Sequence, residues 1–109
     1  MNTTDSVSIL QKISAPAARK ILTDNGNSIL LDVRTPEEYE EGHLPGARLI
    51  PDYELPEQAA ANLPVKEAPL IVYCMSGGRS AAAARWLSQH GYTQIYDLGS
   101  IFNWTAGER

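Results

Sequence analysis

Leu70-Ile71-Val72-Tyr73-Cys74-Met75-Ser76-Gly77-Gly78-Arg79-Ser80, with the helix-forming run from Ala81 to Leu87 directly behind it, is the stretch whose reading decides the fold. Leu70 to Tyr73 is a short continuous apolar run rich in β-formers, the pattern of a strand buried on both faces in a parallel sheet. The residues after Cys74 cannot continue it. Gly77 and Gly78 can take positive φ and let several backbone N–H groups converge on one point, while Ser80 to Leu87 has strong helix propensity. The single cysteine of the chain therefore stands between a buried strand and a helix N-terminus, inside a cradle of donors.

That position bears on reactivity, because the thiolate and not the thiol is the nucleophile. An ordinary cysteine, with pKa about 8.5, is only a few per cent ionised at neutral pH. Converging amides, the helix terminus and the guanidinium of Arg79 all favour the anion. A lone cysteine can equally be a small hydrophobe closing a strand. The Gly-Gly-Arg-Ser context argues for the reactive reading, since a core position needs neither a donor-rich loop nor a fixed cation.

Length and composition bound the rest. The 109 residues suit one domain, expected over residues 8–109 with residues 1–7 as a flexible lead, and 43% hydrophobic residues can build a core. One cysteine excludes an internal disulfide, and a reactive thiol suits a reducing compartment. The polar start, Met1 to Ser6, lacks the basic and apolar regions of a secretory signal, and no apolar run reaches transmembrane length. A cytoplasmic address is expected. The net charge of −4 supplies no basic field for nucleic acid or an acidic membrane, so any anion site must be local.

Along the chain, Ile9 to Ile13 reads as a strand and Ser14 as the N-cap of a helix that tolerates Pro16 in its first turn and runs out at Asn25-Gly26. Ile29 to Val33 is a second buried strand, with Asp32 and Arg34 at its C-terminal end, where open parallel sheets carry ligands. Thr35-Pro36-Glu37-Glu38 forms a capping box for a short helix ended by Gly42. Arg48 to Pro51 is a strand, Tyr53 to Leu63 a weak helix, Ser80 to His90 a helix with Gly91 as its C′ residue, Thr93 to Leu98 the last strand, and residues 99–107 hold one more short helix. Strands alternating with helices at this spacing define an α/β fold with a mainly parallel sheet.

At this point the chain resembles a single-domain rhodanese, a member of a sulfurtransferase family. Four segments in order carry the resemblance: Leu31-Asp-Val-Arg-Thr-Pro-Glu-Glu-Tyr39, Gly42-His-Leu-Pro-Gly-Ala47, Val72-Tyr-Cys-Met-Ser-Gly-Gly-Arg-Ser80, and Leu98-Gly99 through Trp104. The resemblance implies a three-layer fold, a five-stranded parallel sheet flanked by helices on both faces. It also implies a cysteine that carries sulfane sulfur as a persulfide, and no metal or organic cofactor. Position by position, Cys74 becomes the sulfur carrier, and Met75, Ser76, Gly77, Gly78 and Arg79 form the substrate-binding loop whose amides and guanidinium hold the anion or persulfide. Arg79 is expected to turn inward, because an arginine at a helix N-terminus is otherwise opposed by the dipole. Asp32 and His43 read as structural, Asp32 by accepting bonds from nearby loop amides. Arg34 is expected exposed and paired with Glu37 or Glu38. His90 faces a helix C-terminus without a catalytic part, and Trp86 and Leu87 belong to the core. Ser100 departs from the two glycines the family often carries in the closing segment.

The function implied is transfer of sulfane sulfur from thiosulfate or a similar donor, through a Cys74 persulfide, to a thiophilic acceptor: a small thiol, cyanide in an assay, or a sulfur-relay protein. Two other readings compete. One is a non-enzymatic binding or sulfur-relay module on the same fold, for which a lost cysteine or degraded loop would be the usual sign. The other is a cysteine phosphatase or arsenate reductase. Four residues separate Cys74 from Arg79 where that signature has five, and Tyr73 stands where a histidine is expected.

Overall fold

The computed structural model describes residues 9–106; the expected flexible lead, residues 1–7, lies outside them. Five strands, β1 (Ile9–Lys12), β2 (Ile29–Asp32), β3 (Arg48–Leu49), β4 (Leu70–Cys74) and β5 (Gln94–Ser100), form one sheet in the order β1-β5-β4-β2-β3. Every pairing is parallel. The helices between them are α1 (Ala15–Asp24), α2 (Pro36–Glu41), α3 (Leu55–Asn62), α4 (Gly78–Gln89) and α5 (Asn103–Ala106). The expected α/β architecture is the one adopted.

Burial explains the central position of β4. All five of its residues are buried, and alternate side chains serve opposite faces. Leu70, Val72 and Cys74 join Leu55, Leu63, Ala83 and Leu87 in the core beneath α3 and α4. Ile71 and Tyr73 join Ala15, Ala18 and Leu98 in the core beneath α1. Each fully buried leucine, isoleucine or valine contributes roughly 1.5–3 kcal/mol through burial, so β4 anchors both layers and cannot slide without exposing one of them. Cys74 is therefore fixed in height and in face.

One strand is much shorter than its sequence pattern suggests. The strand expected over Arg48 to Pro51 pairs only at Arg48–Leu49, because the chain turns off the sheet through Pro51 into a 3₁₀ turn, Asp52–Glu54, that leads into α3. The caps at Ser14 and Thr35 form as expected, Thr35 and Glu38 completing the reciprocal box. In β5 the register against β4 slips between Val72 and Tyr73, so that Val72 faces Asp97 and Tyr73 faces Gly99. Leu98 is the extra residue. This bulge brings Ser100 opposite Cys74.

Candidate functional site

Cys74 ends β4, only three residues separate it from α4, and the turn between them is closed by Gly77, the N-cap, at φ +108°. That left-handed conformation points the Gly77 amide back at the sulfur: Gly77 N–H donates to Cys74 Sγ at 2.9 Å, and Ser80 N–H, from the first turn of α4, donates at 3.3 Å. Two amides at a helix N-terminus thus stabilise negative charge on the sulfur. Cys74 itself has no exposed surface. Met75 and Gly77 are partly buried and Ser76 is exposed at the loop's tip.

The cradle is braced from β5 by groups that the sequence pattern left unnoticed. Ser80 Oγ donates to Asp97 Oδ1 at 2.7 Å and lies 3.0 Å from the Gly77 carbonyl oxygen; Gly99 N–H donates to the same Asp97 oxygen at 2.9 Å. Asp97 is only 6% exposed. One signal was available: a carboxylate inside the apolar strand Ile95 to Leu98 has to be partnered once buried. Ser100 reaches the loop as well, its Oγ donating to the Met75 carbonyl at 2.7 Å and accepting from Phe102 N–H at 3.1 Å. Ile101 N–H closes the set by donating to the Cys74 carbonyl at 2.7 Å.

Both arginines near the site depart from expectation. Arg79 does not turn onto the sulfur. Its Nη1 and Nη2 donate to Glu38 Oε1 and Oε2 at 2.8 and 3.0 Å. The reason lies in α2: the capping box holds Glu38, whose Oε1 also accepts from Thr35 N–H at 2.9 Å, so its carboxylate stands fixed where the guanidinium can fork onto it. Glu38 offsets the unfavourable dipole that was expected to drive Arg79 inward. Arg34, expected exposed and paired with Glu37 or Glu38, is 2% exposed and paired with Asp32. Its Nη2 donates to Asp32 Oδ2 and to the Gly42 carbonyl, both at 2.7 Å. Asp32 also accepts from the Arg34 amide at 2.9 Å and from Tyr73 OH at 2.7 Å, and Tyr73 in turn accepts from Leu44 N–H. Burial and the Asp32 carboxylate hold the Tyr73 hydroxyl firmly protonated. This network ties β2, the turn after α2 and β4 together at the end of the strand where Cys74 stands.

The two histidines are exposed and stand at helix ends, stacked on aromatic neighbours: His43 on Tyr39 and His90 on Trp86. Each ring places Nδ1 on a backbone carbonyl four residues back. Neither approaches the sulfur cradle by hydrogen bond. Leu87 is fully buried and Trp86 half-buried against the same core. Among the described residues no three His, Cys, Asp or Glu side chains converge as a metal set, and no helix is long and apolar enough to cross a membrane. A groove of about 390 Å³ opens beside the loop, lined by Arg34, Glu38 and Glu41 together with Met75, Ile101 and Phe102.

This arrangement of strand, tight glycine turn and helix around one sulfur has relatives. The rhodanese-like domain profile matches residues 14–107. The chain belongs to the rhodanese family. It is 33% identical over 97 residues to a sulfurtransferase of Allochromatium vinosum, covering 88% of this chain and 89% of that protein. It is 37% identical over 93 residues to the thiosulfate sulfurtransferase GlpE of Pseudomonas paraeruginosa, covering 84% and 80%. Among solved rhodanese structures, a human single-domain sulfurtransferase superposes with a TM-score of 0.76 at 32% identity, over 90% of this chain and 97% of that one.

Within this rhodanese site the Glu38–Arg79 pair makes a prediction about pH. Chiefly the Arg79 hydrogen bonds, and then the Thr35 amide, lower Glu38 from its ordinary 4.5 to about 2. A carboxylate lowered in the folded state adds stability that is complete above its ordinary value and is lost as pH falls toward the folded one. Wild type should therefore be more stable than Glu38→Gln at pH 6, and the gap should close between pH 4.5 and 2. Urea unfolding of both proteins at several pH values measures it; a gap independent of pH would show that the pair does not ionise as described.

Proposed function

We propose that this protein is a rhodanese-type sulfurtransferase in which Cys74 carries the sulfur. The single observation that supports the reading is the sulfur at the end of β4 receiving two amide hydrogen bonds, from Gly77 and Ser80. In the first step the Cys74 thiolate attacks the outer sulfur of thiosulfate or a similar sulfane donor. The donor's S–S bond breaks, sulfite leaves with its electron pair, and Cys74 keeps the outer sulfur as a persulfide anion. In the second step an acceptor thiolate, or cyanide, takes that sulfur and regenerates the Cys74 thiolate. The same negative charge sits in the cradle before and after each step, so fixed amides serve throughout without a general base.

Cys74 has no exposed surface, so a donor reaches it only as the residues covering it move aside, a displacement that the neighbouring Gly77 and Gly78 permit. The acceptor is a small thiol or the cysteine of a sulfur-relay protein; a reducing, cytoplasmic setting fits a lone reactive thiol, and the net charge of −4 gives nucleic acid no basic surface. The phosphatase reading is weaker still with the geometry in view. Arg79 is engaged by Glu38 and is not free to fork onto a tetrahedral oxyanion.

The test is kinetic. Varying donor against acceptor should give the parallel-line pattern of a double displacement, with sulfite released once per protein molecule when acceptor is withheld. Intersecting lines, with no sulfite release until acceptor is added, would contradict a persulfide intermediate.

A further inference from the structure

We propose that Glu38 sets the charge class of the sulfur donor: by holding both terminal nitrogens of Arg79 it disfavours dianionic thiosulfate relative to donors that carry one negative charge or none. The inference rests on the sulfur-transfer reading above and narrows its substrate. A sulfane donor approaching Cys74 meets two guanidinium groups, and neither is free. Arg34 is buried and paired with Asp32. Arg79 is forked onto Glu38, with the two side chains 33% and 24% exposed.

Glu38 cannot easily let go, because its Oε1, which meets Arg79 Nη1, is also held by the Thr35 amide and hydroxyl. The charge of Cys74 does bear on the Arg79 guanidinium, so the pair stands within electrostatic reach of the reacting sulfur. Around it carboxylates are concentrated on α2. Helix α2 reads Pro36-Glu-Glu-Tyr-Glu-Glu41, and the groove beside the loop is lined by Glu38, Glu41 and the Arg34 that Asp32 neutralises, together with the apolar Met75, Ile101 and Phe102. Such a mouth repels a second negative charge and tolerates an apolar substituent in its place.

The chemistry accommodates either kind of donor. The Cys74 thiolate takes the outer sulfur, the donor's S–S bond breaks, and the electron pair departs with sulfite from thiosulfate or with a sulfinate from an organic thiosulfonate. No oxidant or reductant enters. Methanethiosulfonate is the informative probe, since it keeps the shape of thiosulfate while a methyl group replaces one oxygen and one negative charge.

The experiment measures kcat/KM for both donors with the wild-type chain and with Glu38→Gln. Glutamine at this position keeps the capping-box acceptor, and circular dichroism verifies that the fold is retained. The thiosulfate-to-methanethiosulfonate ratio should rise about five- to tenfold in Glu38→Gln at low ionic strength, through a lower KM for thiosulfate, and the gain should shrink in about 0.5 M salt. A ratio that stays the same while both donors still load the protein would overturn this inference and leave the sulfur-transfer reading standing. A parallel loss of kcat for both donors would overturn it too, making Glu38 a support for Arg79 and nothing more. Failure of the wild type to take sulfur from either donor would remove the sulfur-transfer reading and this inference together.

Discussion

Asp32→Ala is expected to lower the free energy of unfolding by about 3–5 kcal/mol, a large part of the 5–15 kcal/mol typical of a domain. The carboxylate has no exposed surface and accepts from the Arg34 guanidinium, the Arg34 amide and Tyr73 OH. Removing it leaves the Arg34 charge buried with the Gly42 carbonyl as hydrogen-bond acceptor and the Tyr73 ring face beside it, and no carboxylate, and leaves Tyr73 OH without its acceptor. An unpaired buried charge costs far more than a lost surface contact. If that charge is the main cost, the double change Asp32→Ala with Arg34→Met should recover part of the loss by removing both ions. Urea denaturation of the two variants decides: a loss under about 1 kcal/mol for Asp32→Ala would place the pair among ordinary surface salt bridges.

Gly77→Ala should separate fold from chemistry. A Cβ at Gly77 would meet nothing nearer than the Gly99 Cα at 3.9 Å, so space is available, but the φ of +108° is one that L-residues rarely adopt. The cost in stability should be about 1–2 kcal/mol. Relaxing that φ swings the Gly77 amide away from Sγ, removing one of the two donors, and loss of a positioned donor of this kind lowers rate by about 10²–10³. Sulfur transfer should therefore fall by roughly two decades in a protein that stays folded, the unfolding midpoint dropping only by what about 1–2 kcal/mol represents. Equal rates in Gly77→Ala and wild type would show that the Ser80 amide and the helix terminus suffice without this bond.

Why the fold was legible in the chain while parts of the site were not follows from the kind of information each needs. β4 and the turn behind it are written locally, in an apolar run, two glycines and an alanine-rich helix, and the Thr35 box is complete within four residues. Arg79 and Arg34 were misplaced. Arg79 finds its carboxylate 41 positions away, on α2, whereas Arg34 was expected exposed and is instead buried with Asp32, two residues back in the chain. A sequence shows that the charges exist but not which pairs meet. The β5 bulge was also invisible: Asp97-Leu98-Gly99-Ser100 reads as a strand end, and only pairing with β4 reveals that Leu98 is extra and that Ser80 and Met75 are braced by Asp97 and Ser100.

The sulfur-carrier claim is tested most directly by intact mass under non-reducing conditions, after incubation with methanethiosulfonate or thiosulfate and removal of excess donor, with Cys74→Ser treated alongside. The wild-type chain should gain one sulfur atom, about 32 Da, which cyanide or a thiol removes, and Cys74→Ser should gain none. An unchanged wild-type mass, in a protein whose Cys74 is shown by alkylation to be reduced and reachable, would contradict the account and leave the fold as a binding module.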